Sequence, residues 1–137
     1  MLLVVDTNIL VNAIKSPGIK NTDGSIIPSK SQRLFIEILD GKHKLCVSSD
    51  IMAEYEDVLN RPQLNLSPVL VAKFLSIIRL KALWIEPLPT NAEEVEMGDE
   101  DDRVFFDVAR CLNVKLVTRN LSHYPVHELR TSIDELY

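Results

Sequence analysis

MLLVVDTNIL, residues 1–10, begins with an apolar run that ends at a carboxylate. Residues 2–5 show no polar alternation, which is typical of a parallel strand buried on both faces. Asp6 follows that strand directly, and a charge at the edge of a dry interior is costly unless it is paired or bound to a cation. The apolar pattern resumes over residues 8–14, which predicts a short helix. The stretch therefore indicates the first strand and helix of an α/β fold.

The same alternation of short strands and amphipathic helices continues along the chain. Further strands are predicted at residues 44–48, 83–86, 115–118 and 126–129. Further helices are predicted at residues 31–40 with Ser31 as cap, after Ser48 or Ser49, after Ser67 and Pro68, at 91–97, and after Asp101 or Asp102. Residues 18–30 predict a mobile polar loop. This order predicts one domain, residues 1–137, built as a three-layer α/β/α sandwich around a mostly parallel sheet of four or five strands.

The composition fits a folded globular protein, since 46% of the 137 residues are hydrophobic and 26% are charged. No apolar run approaches the roughly 20 residues of a membrane span, and the first residues lack a basic leader, which predicts a cytoplasmic location. Cys46 and Cys111 lie in apolar segments without metal-finger spacing, so both are predicted to be buried, reduced thiols.

The net charge of -5 disfavours nucleic-acid binding by bulk charge. The acidic residues concentrate at residues 91–102, however, so a small basic surface elsewhere is compatible with the composition. A bound divalent cation would also reverse the local field. The overall charge therefore counts only moderately against a nucleic-acid substrate.

Oxygen-bearing side chains recur in four clusters beside apolar runs: Asp6 with Asn8, Glu54, Asp99–Asp102, and Asn120. Asp6 and Asn120 follow predicted strands, and ligands of an open α/β sheet bind beyond the carboxyl ends of its strands. Carboxylate and amide oxygens are the ligands of a hard divalent cation. Together the four clusters predict a metal-dependent site that cleaves phosphodiesters.

Each cluster also has an ordinary structural interpretation. Asp6 or Thr7 could simply cap the next helix, and Glu54 could be a solvated helix carboxylate that leans inward. Asp99–Asp102 could satisfy the free N–H groups of a helix start, and Asn120 could be a turn residue.

The acidic run nevertheless exceeds what capping needs, and a cation would relieve its mutual repulsion. Asp102 best matches a first-turn residue that points at the carboxyl edge of the sheet. Thr7 and Thr118 are predicted to orient the carboxylates by hydrogen bonds.

Other chemistries lack their signatures in this chain. His43, His123 and His127 are scattered, without zinc spacing or a Ser-His-Asp pattern, and four glycines form no phosphate-binding loop. A phosphatase-like use of Asp6 as nucleophile is disfavoured because Asn8 stands where such sequences place a second Asp.

Four segments resemble the motif series of PIN domains: VVDTNIL (4–10), SSDIMAEYEDVLNRP (48–62), DEDDRVFFDVA (99–109) and KLVTRN (115–120). They keep the order and approximate spacing of that family over essentially the whole chain. The likeness is greatest to the bacterial branch related to VapC-type toxins of toxin–antitoxin pairs.

The resemblance implies a metal-dependent endoribonuclease that uses Mg²⁺ or Mn²⁺. It matches Asp6, Glu54 and Asp102 to the acids that hold the metal, and Asn120 to a fourth catalytic position. The accessory positions are Asn8, Thr118, Asp99 and Asp101. The resemblance further implies an RNA substrate, an antitoxin partner and a homodimer, for which the apolar helix over residues 69–78 is a candidate interface. The same helix could equally belong to the core.

Two features depart from the family pattern. His123 stands where VapC-like sequences often carry a further Asp, which motivates a second hypothesis: a catalytically weak or inactive PIN fold that serves as a binding module. The segment 18–30 is also longer than the usual connection and could be a contact surface or a tolerated insertion. The candidate phosphate-binding side chains are Lys15, Arg61, Arg103 and Arg119.

Overall fold

A computed structural model describes residues 1–16, 18–125 and 127–137. Within those ranges the chain forms seven strands: β1 (Leu2–Val5), β2 (Ile19–Lys20), β3 (Ile26–Ile27), β4 (Lys44–Val47), β5 (Leu83–Trp84), β6 (Lys115–Thr118) and β7 (Arg130–Ser132). The same ranges contain six α-helices: α1 (Thr7–Lys15), α2 (Lys30–Leu39), α3 (Ser49–Leu59), α4 (Pro68–Lys81), α5 (Arg103–Leu112) and α6 (Ile133–Leu136).

Five strands form one parallel sheet in the spatial order β5-β4-β1-β6-β7. The central strand pairs Leu3 with Leu45 of β4 on one side and with Lys115 of β6 on the other. After β1 the chain moves outward through β4 and β5, and it then crosses to β6 and β7. The order in which strands are added to the sheet therefore reverses between β1 and β6. Ligands of such folds bind at this point. The predicted α/β/α fold with a parallel central sheet is confirmed.

The core lies on both faces of β1. Leu3 and Val5 are fully buried there, as the unbroken apolar run predicts. Tyr55 of α3 and Phe105 of α5 pack with ring centroids 5.8 Å apart. The Tyr55 hydroxyl donates a hydrogen bond to the carbonyl of Val5, which satisfies a buried polar group at the carboxyl end of the central strand. This contact joins α3 to the strand that leads into Asp6.

Residues 18–30 differ from the predicted loop, because β2 and β3 form a two-stranded antiparallel ribbon in which Ile19 pairs with Ile27. Ile19 and Ile26 are 61% and 64% exposed. A strand of two residues gives too short a pattern to distinguish it from a loop in the sequence.

The helix predicted at residues 91–97 is wrong. The Asn91 side chain accepts hydrogen bonds from the backbone N–H groups of Glu93 and Glu94 and closes a turn there. Side chains of this type compete with helical hydrogen bonding, which explains the difference.

The last strand of the sheet also differs in position from the prediction. It is Arg130–Ser132 rather than residues 126–129, and Val126 lies outside the described residues. Thr131 pairs with Val117 of β6. A three-residue edge strand with polar side chains carries no apolar run, so its position could not be read from the sequence.

The predicted serine caps of α3 and α4 are confirmed, whereas Asp102, a predicted cap of α5, makes no capping side-chain hydrogen bond. Ser48 caps α3 by accepting from the Ile51 N–H, and Ser67 caps α4 in the same way. The cap of α2 is Ser29 rather than Ser31, which is buried. Ser29 accepts from the Gln32 N–H, and the Gln32 side chain accepts from the Ser29 N–H, so the two close a capping box.

The two cysteines are free and lie in different environments. Cys46 on β4 is buried, as predicted, whereas Cys111 is exposed, so its predicted burial is wrong. The buried side of α5 is formed by Phe105, Val108 and Ala109, and Cys111 lies on the solvent side. None of the helices that the structure describes combines the length and apolarity needed to cross a bilayer.

We expect Ser29→Ala to lower the free energy of unfolding by about 1 kcal/mol, because the first turn of α2 loses its cap. Ser29→Asp should retain most of the stability, since a carboxylate accepts from the same N–H. Urea unfolding followed by circular dichroism measures both variants, and equal losses in the two would contradict the assignment of this cap.

Candidate metal centre

Asp6 is a buried carboxylate at the carboxyl end of the central strand. Its residue is 3% exposed, and its N–H donates to the Val117 carbonyl at 2.9 Å, which extends the pairing of β1 with β6. Oδ2 accepts hydrogen bonds from Thr118 Oγ1 at 2.8 Å, Tyr124 OH at 3.0 Å and Asn8 Nδ2 at 3.4 Å. All three side-chain donors therefore reach the same oxygen, and Oδ1 has no side-chain partner among the described residues.

Burial raises the pKa of the Asp6 carboxyl, and the hydrogen bonds from Thr118 and Tyr124 oppose that rise. The three donors stabilise the ionised form but do not fully replace the water that burial removes. A cation at Oδ1 would supply the remaining stabilisation.

Asn8 and Thr118 connect the ends of β1 and β6. Asn8 Nδ2 also donates to Thr118 Oγ1 at 3.3 Å, and Asn8 Oδ1 accepts from the Arg119 N–H at 3.2 Å. Thr118 makes the hydrogen bond to Asp6 expected of it. Thr7 makes no such bond, since its buried Oγ1 has no partner among the described residues.

Asp102 is the second acid that is largely shielded from water. It ends a 3-10 turn, Glu100–Asp102, that leads into α5, and its side chain is 13% exposed. Oδ2 lies 2.9 Å from His123 Nδ1. Burial raises the Asp102 pKa to about 7, the negative charges of Asp6 and Asp99 add to this rise, and His123 opposes it. Two nearby carboxylates thus destabilise the charged form of a third.

The rest of the acidic run has a mixed role. Asp99 Oδ1 caps the 3-10 turn by accepting from the Asp101 N–H at 3.0 Å, and Asp101 is exposed. Potential ligand atoms of Asp99, Asp102 and His123 nevertheless all lie within 4.8 Å of one another. Asp99 therefore both caps the turn and stands in the acidic cluster.

Glu54 lies on α3. It is half-buried, and burial raises the pKa of its carboxyl, as do the negative charges of Asp101, Asp57 and Asp6. The Glu54 pKa therefore responds both to Asp6 and to the turn before α5.

Asn120 lies beyond the end of β6 with its side-chain amide already engaged. Ser122 Oγ donates to Asn120 Oδ1 at 2.7 Å, and Asn120 Nδ2 lies 2.7 Å from His123 Nε2. The amide therefore contacts the acidic cluster through the His123 ring.

Sequence reasoning located His123 at the position of a further acid but did not predict its contact with Asp102, and it missed Tyr124. The spacing of Asn120 and His123 could have indicated their contact, since residues three apart eclipse one another in a 3-10 turn such as Leu121–His123. The role of Tyr124 has no comparable local signal.

Arg103 is not available to a substrate. Its side chain is 11% exposed and pairs with Glu100 at 2.7 Å. It also donates to Thr90 Oγ1 and to the carbonyls of Asn91 and Val95, so it fastens the preceding loop to α5. Arg119 and Lys15 are exposed.

A sequence model of the PIN domain matches residues 2–122. This chain belongs to the PIN domain family. Its fold is similar to that of a chain in the crystal structure of VapBC2 from Rickettsia felis bound to a DNA fragment from their promoter, with a TM-score of 0.60 and 18% identity over 96% of this chain and 97% of that one. No curated protein sequence matches the chain significantly.

The donor set of this PIN domain fits a hard divalent cation. Carboxylates lie at the end of β1, on α3 and at the start of α5. Burial raises the pKa of each, and the negative charge of Asp6 adds to the rise at Glu54 and at Asp102. Oxygen donors of this kind suit Mg²⁺ or Mn²⁺ better than a thiophilic metal. Of the predicted ligands Asp6, Glu54 and Asp102, only Asp102 belongs to the group of described side chains, with Asp99 and His123, whose ligand atoms lie within 4.8 Å of one another.

We expect Asp102→Asn to stabilise the metal-free PIN domain at pH 8 by about 1–3 kcal/mol. An acid whose pKa is raised in the folded state stabilises the fold while it is protonated. In the wild type this contribution is complete below the ordinary pKa of 3.8 and is lost as the pH rises to about 7. The amide oxygen of Asn can still accept from His123 Nδ1.

Urea unfolding in EDTA at pH 8 and at pH 4 measures this difference, which should vanish at pH 4. Asp40→Asn is the control, because it removes the same charge from an exposed position. A variant at position 102 that is less stable than the wild type at pH 8 would contradict the repulsion among these acids.

Proposed function

We propose that this PIN domain is a metal-dependent endoribonuclease. The supporting observation is that the negative charge of Asp6 raises the pKa of both Glu54 and Asp102, in addition to their burial. Carboxylates that interact in this way are costly unless a cation neutralises them. Such a site at the switch point of a parallel sheet suits hydrolysis of a phosphodiester, in which negative charge develops on the phosphate oxygens.

A divalent cation, when bound, lowers the pKa of water and offsets the charge of the leaving oxygen. The protein positions its own carboxylates for this purpose. Thr118 and Tyr124 hold Oδ2 of Asp6, so Oδ1 is directed away from their hydrogen bonds. Asp102 lies at the start of α5 and Glu54 lies on α3, and Asp99 adds negative charge.

RNA is the proposed substrate, and its phosphates would meet few basic side chains. Arg119 directly precedes Asn120 and is exposed, which suits a contact with a phosphate beside the scissile bond. Arg61 interacts electrostatically with Glu54 and Asp101, although it already pairs with Asp57 at 2.9 Å. With a net charge of -5, binding of RNA would depend on the cation as well as on these side chains.

We expect Asp6→Asn to reduce Mn²⁺-dependent cleavage of single-stranded RNA on the order of 100-fold or more. The substitution keeps the shape of the side chain but removes the charge that faces the cation. Product formation on a labelled oligonucleotide measures the effect, with Asp40→Asn as an exposed control. Equal cleavage by wild type and Asp6→Asn would refute the assignment.

The alternative function is a PIN fold that binds a partner and does not cleave RNA. The observation in its favour is His123, which stands where a further acid would strengthen metal binding. Calorimetry with Mn²⁺ separates the two functions. Millimolar Mn²⁺ that produces no binding heat would favour the binding module, whereas saturable binding together with cleavage supports the nuclease.

We also propose that the protein is the toxin of a toxin–antitoxin pair and acts in the cytoplasm. The similarity of its fold to a chain of VapBC2 supports an antitoxin partner. A homodimer is proposed through the outer face of α4, where Val69 and Leu80 are 66% and 86% exposed. The opposite face of that helix supplies Val71 and Leu75 to the core. One face of the helix is therefore part of the core, and the other is the candidate dimer interface.

We expect induced expression of the wild type to stop the growth of a bacterial host, because cleavage of cellular RNA blocks protein synthesis. Asp6→Asn should permit growth at the same protein level. Optical density after induction measures the outcome, and immunoblotting confirms equal expression. Equal toxicity of the two proteins would show that the acidic site does not cause it.

A further inference from the structure

His123 lies at the middle of a chain of side-chain hydrogen bonds that ends at Asp102. Ser122 Oγ donates to Asn120 Oδ1 at 2.7 Å, Asn120 Nδ2 lies 2.7 Å from His123 Nε2, and His123 Nδ1 lies 2.9 Å from Asp102 Oδ2. The chain links the end of β6 to the start of α5.

The order of donors in this chain determines which ring nitrogen carries the proton. Asn120 Oδ1 faces the Ser122 hydroxyl, so the amide nitrogen faces the ring. An amide N–H can only donate, and His123 Nε2 must therefore accept. The ring proton is then on Nδ1, which donates to Asp102 Oδ2.

The backbone holds the ring in place as well. The His123 carbonyl accepts from the N–H groups of Gly98 and Asp99 at 3.1 and 3.2 Å. A Cβ atom on Gly98 would lie 2.2 Å from the Ser122 carbonyl oxygen, so only glycine permits this approach. The contact also fixes Asp99 beside the ring.

The two buried acids are thus held in the same manner. Asp6 is fixed through Oδ2 by Thr118 and Tyr124, and Asp102 is fixed through Oδ2 by His123. In each carboxylate the other oxygen, Oδ1, has no side-chain partner in the described part of the chain. The free oxygens are the ones that a cation would use.

We propose that His123 is a positioning residue for the metal site: its Nδ1–H holds Oδ2 of Asp102 so that Oδ1 faces the cation, and its Nε2 links Asp102 to Asn120. The inference rests on the proposed metal-dependent function. It gives a role to His123 at the position where VapC-like sequences often carry a further Asp. A fixed Asp102 would partly offset the absence of that additional carboxylate ligand. Partners that orient metal ligands typically contribute 10–100-fold to affinity.

Calorimetric titration of the full chain with Mn²⁺, without RNA, tests this role. His123→Ala should weaken Mn²⁺ binding by about 10-fold or more. His123→Asn places an amide nitrogen near the position of Nδ1 and should restore affinity to within about 3-fold of the wild type. His123→Gln places its amide near Nε2 instead, so it should bind as weakly as the alanine variant.

A second measurement needs no metal and does not depend on the stability of a variant. Long-range proton–nitrogen NMR of the wild type should show His123 protonated at Nδ1 and unprotonated at Nε2. The opposite tautomer would overturn the proposal.

The remaining outcomes of the titrations are distinguishable. Unchanged Mn²⁺ affinity in His123→Ala would overturn the positioning role and leave the metal site intact. Equal losses in the alanine and asparagine variants would also overturn it, because a donor near the position of Nδ1 would then not restore Mn²⁺ binding. No Mn²⁺ binding by the wild type would refute both the proposed function and this inference. Binding without RNA cleavage would refute the nuclease alone.

Discussion

The buried carboxylate of Asp6 constrains the whole carboxyl edge of the sheet. At 3% exposure it has lost nearly all of its hydration, and Asn8, Thr118 and Tyr124 supply the replacement hydrogen bonds. Thr118 and Tyr124 are 112 and 118 residues away in sequence, so their bonds form only when β6 lies beside β1 in the observed register. The pairing of the two strands and the solvation of the acid therefore depend on each other.

The acidic segment before α5 has to be held despite its own repulsion. Arg103 holds this segment on one side: it donates to the carbonyls of Asn91 and Val95 and forms an ion pair with Glu100. On the other side, the His123 carbonyl accepts hydrogen bonds from the N–H groups of Gly98 and Asp99. These contacts fix the backbone while leaving the side-chain charges near one another. Burial of Asp102, together with the charges of Asp6 and Asp99, raises its pKa.

Much of the fold could be predicted because its decisive signals are local. Continuous apolar runs located β1 and β6, and Ser67 with Pro68 located the start of α4. The differences arise where one short-range interaction competes with the pattern. Ser29 rather than Ser31 caps α2 because a glutamine three residues later closes a capping box. Asn91 closes a turn where a weak apolar pattern had favoured a helix.

The sequence by itself singled out Asp6, Glu54 and Asp102 as the predicted metal ligands, from their positions beside an apolar strand or helix face and from the resemblance to PIN domains. Only the tertiary structure decided how those acids are held. Tyr124 and His123 reach them across turns and across the sheet, and no periodicity within a single segment records such a contact. The physical reason is that burial and hydrogen-bond geometry at this edge arise from the packing of β1, β6 and α5 together, whereas the sequence pattern reports one element at a time.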